Sequence, residues 1–413
     1  MKLSEKEKLM ISGEMGEGTR QAMSIVVKFG ELYNAERLIS VKNAHIDAGA
    51  FSTIWDSGLD FVENLVANGA KVAVPTTINP CSCDEGNKLL PKQSKEFVYK
   101  AIRLKKAFIS LGVCPTWTCA PYECTSSVSF GEVVSWSESN AVNYLNSVLG
   151  ARSNRLPDLV DVCCAVTGRI PEFGLVLEEN RAGQLLFDLQ GFGPEYFRDY
   201  SDYAVIGYLV GEISTNRIPV IKGFPLETTK NQLKTFSAAT ASSGSVALFH
   251  AVGLTPEATT VERAFQGRRE YETFVITPKE FAETKKRLNT GNVNEFDSGI
   301  VILGCPHLSF AEVCEVHALM KGRKVAAGKL FWIQTSKTVY RLLEDTCKLN
   351  ELKDAGIIFM CDTCVLELDP DTQWPFGIVA TNSGKLAQYL PGMCNSKIIL
   401  CSTAECVKLI VEG

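Results

Sequence analysis

The sequence predicts an α/β fold in which parallel sheets are flanked by helices. Apolar, strand-like runs alternate with helical patterns along most of the 413 residues, and strands separated by single helices imply βαβ units. The last third repeats this rhythm most clearly. Polar, Pro-bearing or Cys-bearing turns repeatedly follow the apolar runs, at the strand ends where parallel sheets carry their ligands.

The elements follow in order. Helical patterns cover Ser4 to Met15 and Thr19 to Tyr33, and a strand candidate covers Leu38 to Val41. A helix from Ser57 to Asn68, a strand at Val72 to Val74, a helix from Ser94 to Leu111 and a strand around Thr116 to Cys119 come next. A further helix spans Asn140 to Leu149. The C-terminal strands are Ile300 to Leu303, Leu330 to Gln334, Ile357 to Met360, Ile378 to Ala380 and Ile398 to Leu400, with a helix at Phe310 to Met320. Ser309 and Glu312 form a capping box for that helix, and Gly322 lies just past its end. The charged, polar segment Thr284 to Glu295 is the best candidate linker. The expected units are residues 1–172, 173–290 and 291–413.

Composition narrows the function. Hydrophobic residues make up 46% and charged residues 22%, which is globular and not disordered. Net charge is −5, which argues against non-specific nucleic-acid binding, because neutralising phosphates needs a basic face. No apolar run approaches a membrane span, and the charged start does not read as a signal peptide. The expectation is a soluble cytoplasmic protein. Fifteen cysteines is a high and odd number, so complete internal pairing is impossible. Most of them read as small buried hydrophobes.

Several motifs fall short. Cys361-x-x-Cys364 lacks the second pair that a zinc site needs, Cys81-x-Cys83 has the wrong spacing, and the chain holds only 4 histidines. Asn382-Ser383-Gly384-Lys385 fails as a Walker A loop, yet it follows a strand and precedes a helix, so it can hold a carboxylate or phosphate. An ordinary polar turn is the competing reading. His45 is a candidate base with Asp47 to orient it, and His307 is a candidate donor beside a metal; each histidine alone also fits a plain structural role. Cys119, Cys305 and Cys364 each end a different strand candidate. Three thiolates converging from three loops can hold an iron–sulfur cluster with one iron left open for a substrate hydroxyl, while spacing alone favours three unrelated buried thiols.

Longer motifs carry a resemblance. Pro75-Thr76-Thr77-Ile78-Asn79-Pro80, Pro115-Thr116-Trp117-Thr118-Cys119-Ala120-Pro121-Tyr122 and Trp136-Ser137-Glu138-Ser139-Asn140-Ala141 open it. Asn146-Ser147-Val148-Leu149-Gly150-Ala151-Arg152, Gly304-Cys305-Pro306-His307, Asp362-Thr363-Cys364 and Thr381-Asn382-Ser383-Gly384-Lys385 complete it. With these the chain resembles the large, catalytic part of the aconitase X family over nearly its whole length. The resemblance implies an aconitase-like multi-domain architecture and an iron–sulfur hydro-lyase, with Cys119, Cys305 and Cys364 as ligands of a cluster of two, three or four irons. It places Asn79, Pro80, Glu138, Ser139, Asn382, Ser383 and Lys385 near the substrate. Ala48, Gly49 and Ala50 occupy a stretch that contacts substrate in relatives, although the sequence there departs from both branches of the family. His45, Ser383 and Lys385 are the candidate catalytic residues.

One branch of the family dehydrates cis-3-hydroxy-L-proline and the other mevalonate 5-phosphate. Asn43 to Asp47, Trp117 to Tyr122 and Asp161 to Arg169 look like the first branch, and Asn79-Pro80 like the second. Where phosphomevalonate relatives tend to carry an Arg, this chain has Tyr389-Leu390-Pro391-Gly392. A phosphate dianion benefits from Arg forks, so cis-3-hydroxy-L-proline is the expected substrate. Relatives work with a small swivelling domain that nothing after Gly413 supplies, so a separate small subunit is the expected partner, one that closes over the site and contributes a serine. The other readings are an iron–sulfur sensor or binding subunit without turnover, and an enzyme holding one metal ion.

Overall fold

The computed structural model describes residues 1–87, 89–124, 128–372 and 377–411. Four sheets form among them. The largest is fully parallel and runs in the spatial order Ile357–Cys361, Leu330–Thr335, Ile300–Leu308, Ile378–Thr381, Lys397–Leu400. All of its central strand, Ile300–Leu308, is buried. Helices such as Phe310–Met320, Gly384–Cys394 and Thr403–Val411 alternate with these strands, as crossover connections between parallel strands require.

A second parallel sheet sets Leu185–Asp188 between Pro219–Lys222 and Glu272–Val275, with His250–Ala251 at one edge. A third has Ala44–Ile46 between Thr76–Ile78 and Ser135–Trp136, again parallel. Helix starts are well specified. Ser4 with Glu7, Thr229 with Gln232, Thr277 with Glu280 and Ser309 with Glu312 are complete capping boxes, each satisfying otherwise orphaned backbone donors.

The α/β prediction holds, and the C-terminal strands fall within a few residues of their expected places. The N-terminal strands do not. Leu38–Ser40 pairs antiparallel with Arg169–Pro171, outside the parallel sheet. No strand forms at Val72 to Val74; the strand is Thr76–Ile78. The segment leading to Cys119 runs beside that strand without a regular ladder: Cys114 N–H donates to Thr76 O at 2.8 Å and Thr118 N–H to Ile78 O at 3.0 Å. The hydroxyl of Thr116 takes a ladder place instead, accepting from Ile78 N–H at 3.1 Å. The expected linker begins inside the helix Pro278–Leu288, because Phe281, Thr284 and Leu288 on one face of that helix pack inward. The helix expected through Leu149 turns π-helical from Leu145.

Two buried ion pairs join these layers. Arg181 has no exposed surface. Its guanidinium donates to Glu257 Oε1 at 2.5 Å, to Asn146 O at 3.0 Å and to Leu175 O at 2.9 Å, which ties the third sheet's surroundings to the second. Lys234 pairs with Glu312 and donates to His307 O at 3.2 Å, joining the helix Lys230–Ser243 to the largest sheet. No described helix is long and apolar enough to cross a membrane.

Removing one partner of a buried pair leaves the other charge unpaired. Arg181→Met is therefore expected to cost about 3–5 kcal/mol, read as a lowered thermal midpoint; a midpoint within a degree of the parent's contradicts this role. Gly304 has φ +109°, and a Cβ there would stand 2.2 Å from Gln334 O. Gly304→Ala is expected to cost about 2–3 kcal/mol through both strain and collision, again measured by thermal unfolding.

Candidate active site

Strand ends from the largest sheet and from the third sheet face a common cavity of about 250 Å³. From the third sheet come Asp47 and Asn79, just past two strands, and Glu138 and Ser139, just past the third. From the largest sheet come Gly304 and Cys305 within the central strand, Cys364 after Ile357–Cys361, and Lys385 on the helix that follows Ile378–Thr381. Cys119 enters from the segment beside Thr76–Ile78. The structure thus brings Cys119, Cys305 and Cys364 to one cavity, together with Asn79, Pro80, Glu138, Ser139 and Lys385.

The central strand makes room for Cys305. Its register against Leu330–Thr335 shifts between Leu303 and Leu308, so Gly304 to His307 leave the regular ladder. Gly304 supplies the left-handed backbone for that departure.

His307 then ties the three cysteine-bearing segments together. Its N–H donates to Cys119 Sγ at 3.3 Å. Its ring spans Thr118 Oγ1 at Nδ1 and Thr363 O at Nε2, each at 3.1 Å. A carbonyl only accepts, so Nε2 carries the proton and Nδ1 accepts from the threonine. Burial pushes the imidazole down to about 4, keeping it neutral.

A charged pair forms another wall. Lys385 Nζ donates to Glu138 Oε1 at 2.8 Å and approaches Ser139 Oγ at 3.5 Å. Burial disfavours the Glu138 carboxylate, but the Lys385 ammonium and hydrogen bonds from Ala141 N–H and Asn140 outweigh it and hold the group at about 2. Asn140 also donates to Cys119 O at 2.8 Å. Burial likewise disfavours the Lys385 charge, and Glu138 reverses the balance.

The other candidates lie beside the cavity. His45 is fully buried, against Trp136, with Nδ1 2.8 Å from Thr77 Oγ1 and Nε2 3.4 Å from Asn79 Oδ1. Burial lowers it to about 4. Asn79 stands between it and Asp47, donating to Asp47 Oδ1 at 2.6 Å, so Asp47 orients Asn79 and not the imidazole. Ala48 and Ala50 are buried, and Gly49 packs against the Asn79 backbone, where a Cβ would meet Asn79 O at 2.4 Å. Ser383 caps its helix and donates to Cys305 O, and Asn382 donates to Thr403 Oγ1 at 3.0 Å. Cys361 lines a different cavity, with Asp84 and Lys337.

Thr53, Glu367, Tyr389 and Met393, which are not among the residues expected from the sequence, also line the cavity. Tyr389 and Met393 sit four and eight residues after Lys385, a helical spacing that puts all three on one face. Glu367 lies on a short turn and carries no such signal.

The donor set fits an iron–sulfur cluster. Three thiols share one cavity, and a backbone N–H already points at one sulfur, the contact that tunes cluster thiolates. Burial raises all three thiols, Cys305 to about 11, and Cys364 is raised further by Glu367, Cys305 and Cys119. Among the described residues no three acidic, Cys or His side chains are placed to grip a single ion. A cluster with more than one iron, held by Cys119, Cys305 and Cys364, would not require the three thiols to grip a single ion.

Comparison with known proteins agrees with this geometry. Sequence models of the aconitase X first, second and third domains match residues 1–179, 183–286 and 298–412. The cis-3-hydroxy-L-proline dehydratase of Pseudomonas aeruginosa is 36% identical over 409 residues, 98% of this chain and 69% of that one. The phosphomevalonate dehydratase large subunit of Methanocaldococcus jannaschii is 34% identical over 410 residues, 99% of this chain and 100% of that one. The crystal structure of Thermococcus kodakaraensis aconitase X in its holo-form superposes with a TM-score of 0.89 at 30% identity, covering 99% of this chain and 100% of that one. The chain belongs to the aconitase X family and is a hydro-lyase, an enzyme of dehydration.

Proposed function

We propose that the chain is the catalytic large component of an iron–sulfur dehydratase that eliminates water from cis-3-hydroxy-L-proline. The observation that carries this reading is the meeting of Cys119, Cys305 and Cys364 at one cavity walled by the Lys385–Glu138 pair. The substrate follows from a dehydratase relative of that name at 36% identity and from the cavity's cations. Lys385 is the only Lys or Arg among its described lining residues, and it is already paired with Glu138. A phosphate dianion would call for more positive charge.

A second reading, the large subunit of a mevalonate 5-phosphate dehydratase, is supported by a relative of that name at 34% identity over 410 residues. The large-subunit names of such relatives support a small partner, which closes over the cavity. All fifteen cysteines are free, which fits a reducing, cytoplasmic setting.

Cys119, Cys305 and Cys364 would hold the cluster, which when bound supplies Lewis-acid assistance to departure of a hydroxyl. Lys385 and Ser139 receive the substrate carboxylate at one end of the cavity. Asn79, held by His45 and Asp47, presents a fixed amide beside it. His45 reaches the cavity only through that amide, so the carbon-bound proton goes to a base from outside this chain, for which a serine of the small partner is our assignment. Ser383 acts on the position of Cys305 through its carbonyl.

Cys305→Ala is expected to abolish both the brown absorbance and turnover; parent-level activity in this variant would defeat the cluster assignment. His307→Ala removes the support shared by three segments and is expected to lower iron affinity or activity by about 10- to 100-fold, measured by iron and sulfide analysis beside turnover. Full activity in a preparation containing this chain alone contradicts the partner. Anaerobic assays on cis-3-hydroxy-L-proline and mevalonate 5-phosphate decide between the two substrates.

A further inference from the structure

Glu367 is an acidic group of the cavity with no described Lys, Arg or His within ion-pair distance, although the Lys385 charge acts on it from farther away. It lies three residues past Cys364, on the turn Val365–Glu367. Ser52 Oγ and Thr53 Oγ1, in the first turn of the helix Phe51–Ala67, both donate to its Oε2, at 2.8 and 3.1 Å. No described residue bonds Oε1, and no described Lys, Arg or His lies within ion-pair distance. Lys385, the cation across the cavity, is engaged by Glu138. One oxygen of Glu367 is thus anchored from a separate element while the carboxylate lines a cavity that also holds an ammonium.

We infer that Glu367 is an ammonium-binding subsite, so that the cavity takes a small zwitterion with its carboxylate at Lys385 and Ser139 and its charged nitrogen at Glu367. This rests on the amino-acid reading of the substrate given above and deepens it. A carboxylate fixed before binding loses little freedom when a cation arrives; burial raises Glu367, the two hydroxyl donors on Oε2 only partly oppose that, and an arriving ammonium would favour the charged form further. A phosphorylated hydroxy acid has no group for this position and would set its own negative charge against it. Glu367 also stands at the start of the helix Phe51–Ala67, where a carboxylate is favourable for structural reasons alone. A structural role would change stability without changing discrimination between neutral and cationic ligands.

The test uses two ligands that differ at one ring atom: L-proline, with a charged nitrogen, and cyclopentanecarboxylate, with carbon in its place. Dissociation constants are measured by calorimetry on the purified protein with any partner that accompanies it, beside turnover of cis-3-hydroxy-L-proline. The parent is expected to bind L-proline about tenfold more tightly than cyclopentanecarboxylate. Glu367→Gln, which keeps an acceptor for Ser52 and Thr53, is expected to erase that preference and to raise KM about tenfold, with kcat and brown absorbance little changed. Glu367→Asp keeps the charge and is expected to retain part of the preference. Should the Gln variant fail to fold, the parent and the Asp variant still decide. Hydroxyproline turnover without a preference for L-proline in the parent overturns the subsite and leaves the substrate reading standing. An unchanged preference in Glu367→Gln does the same. Turnover of mevalonate 5-phosphate in place of hydroxyproline overturns the substrate reading and the subsite with it.

Discussion

Three distant segments of this chain meet at one buried imidazole. His307 gives its backbone N–H to Cys119 Sγ, takes a hydrogen bond from Thr118 and gives one to Thr363 O. Cys305 is two residues before it and Cys364 follows Thr363. The ring is fully enclosed and neutral, so each of its bonds is made in a region where a lost partner is costly. That constraint is possible only because the central strand leaves its ladder at Gly304, where the backbone approaches Gln334 too closely for a side chain.

The cavity's charge pattern follows from the same joining of sheets. Glu138 caps the short helix after Ser135–Trp136, and Lys385 opens the helix after Ile378–Thr381. Their pairing therefore bridges the third sheet and the largest one. The carboxylate is held low because the Lys385 ammonium and two hydrogen-bond donors overcome its burial. A polar site enclosed to this degree is sustained by partners drawn from elements far apart in sequence, which makes the fold and the site interdependent.

Some of this was legible in the residues. The C-terminal strands are continuous apolar runs, such as Ile300-Val301-Ile302-Leu303, and the capping box of Ser309 and Glu312 marks the next helix; both appear where expected. The N-terminal strands are short and polar. His45, Thr76, Thr77 and Ser135 sit in strand positions and are fully or nearly fully buried, so hydrophobic periodicity could not find them. The apolar runs that stood out, Leu38 to Val41 and Val72 to Val74, belong to other structure. Tyr389 and Met393 could have been found by counting along the helix from Lys385, whereas nothing local points to Glu367.

By itself the sequence determined the α/β alternation, the caps that start its helices, and the cysteine-bearing and polar turns that end its strands, because these depend on contacts within a few residues. The tertiary structure decided which of those turns face each other. It moved His45 behind Asn79, turned Cys361 to a different cavity, set Cys119 beside His307 and brought Glu367 to the cavity wall. Those outcomes depend on how two parallel sheets are placed against each other, and no local propensity encodes that placement.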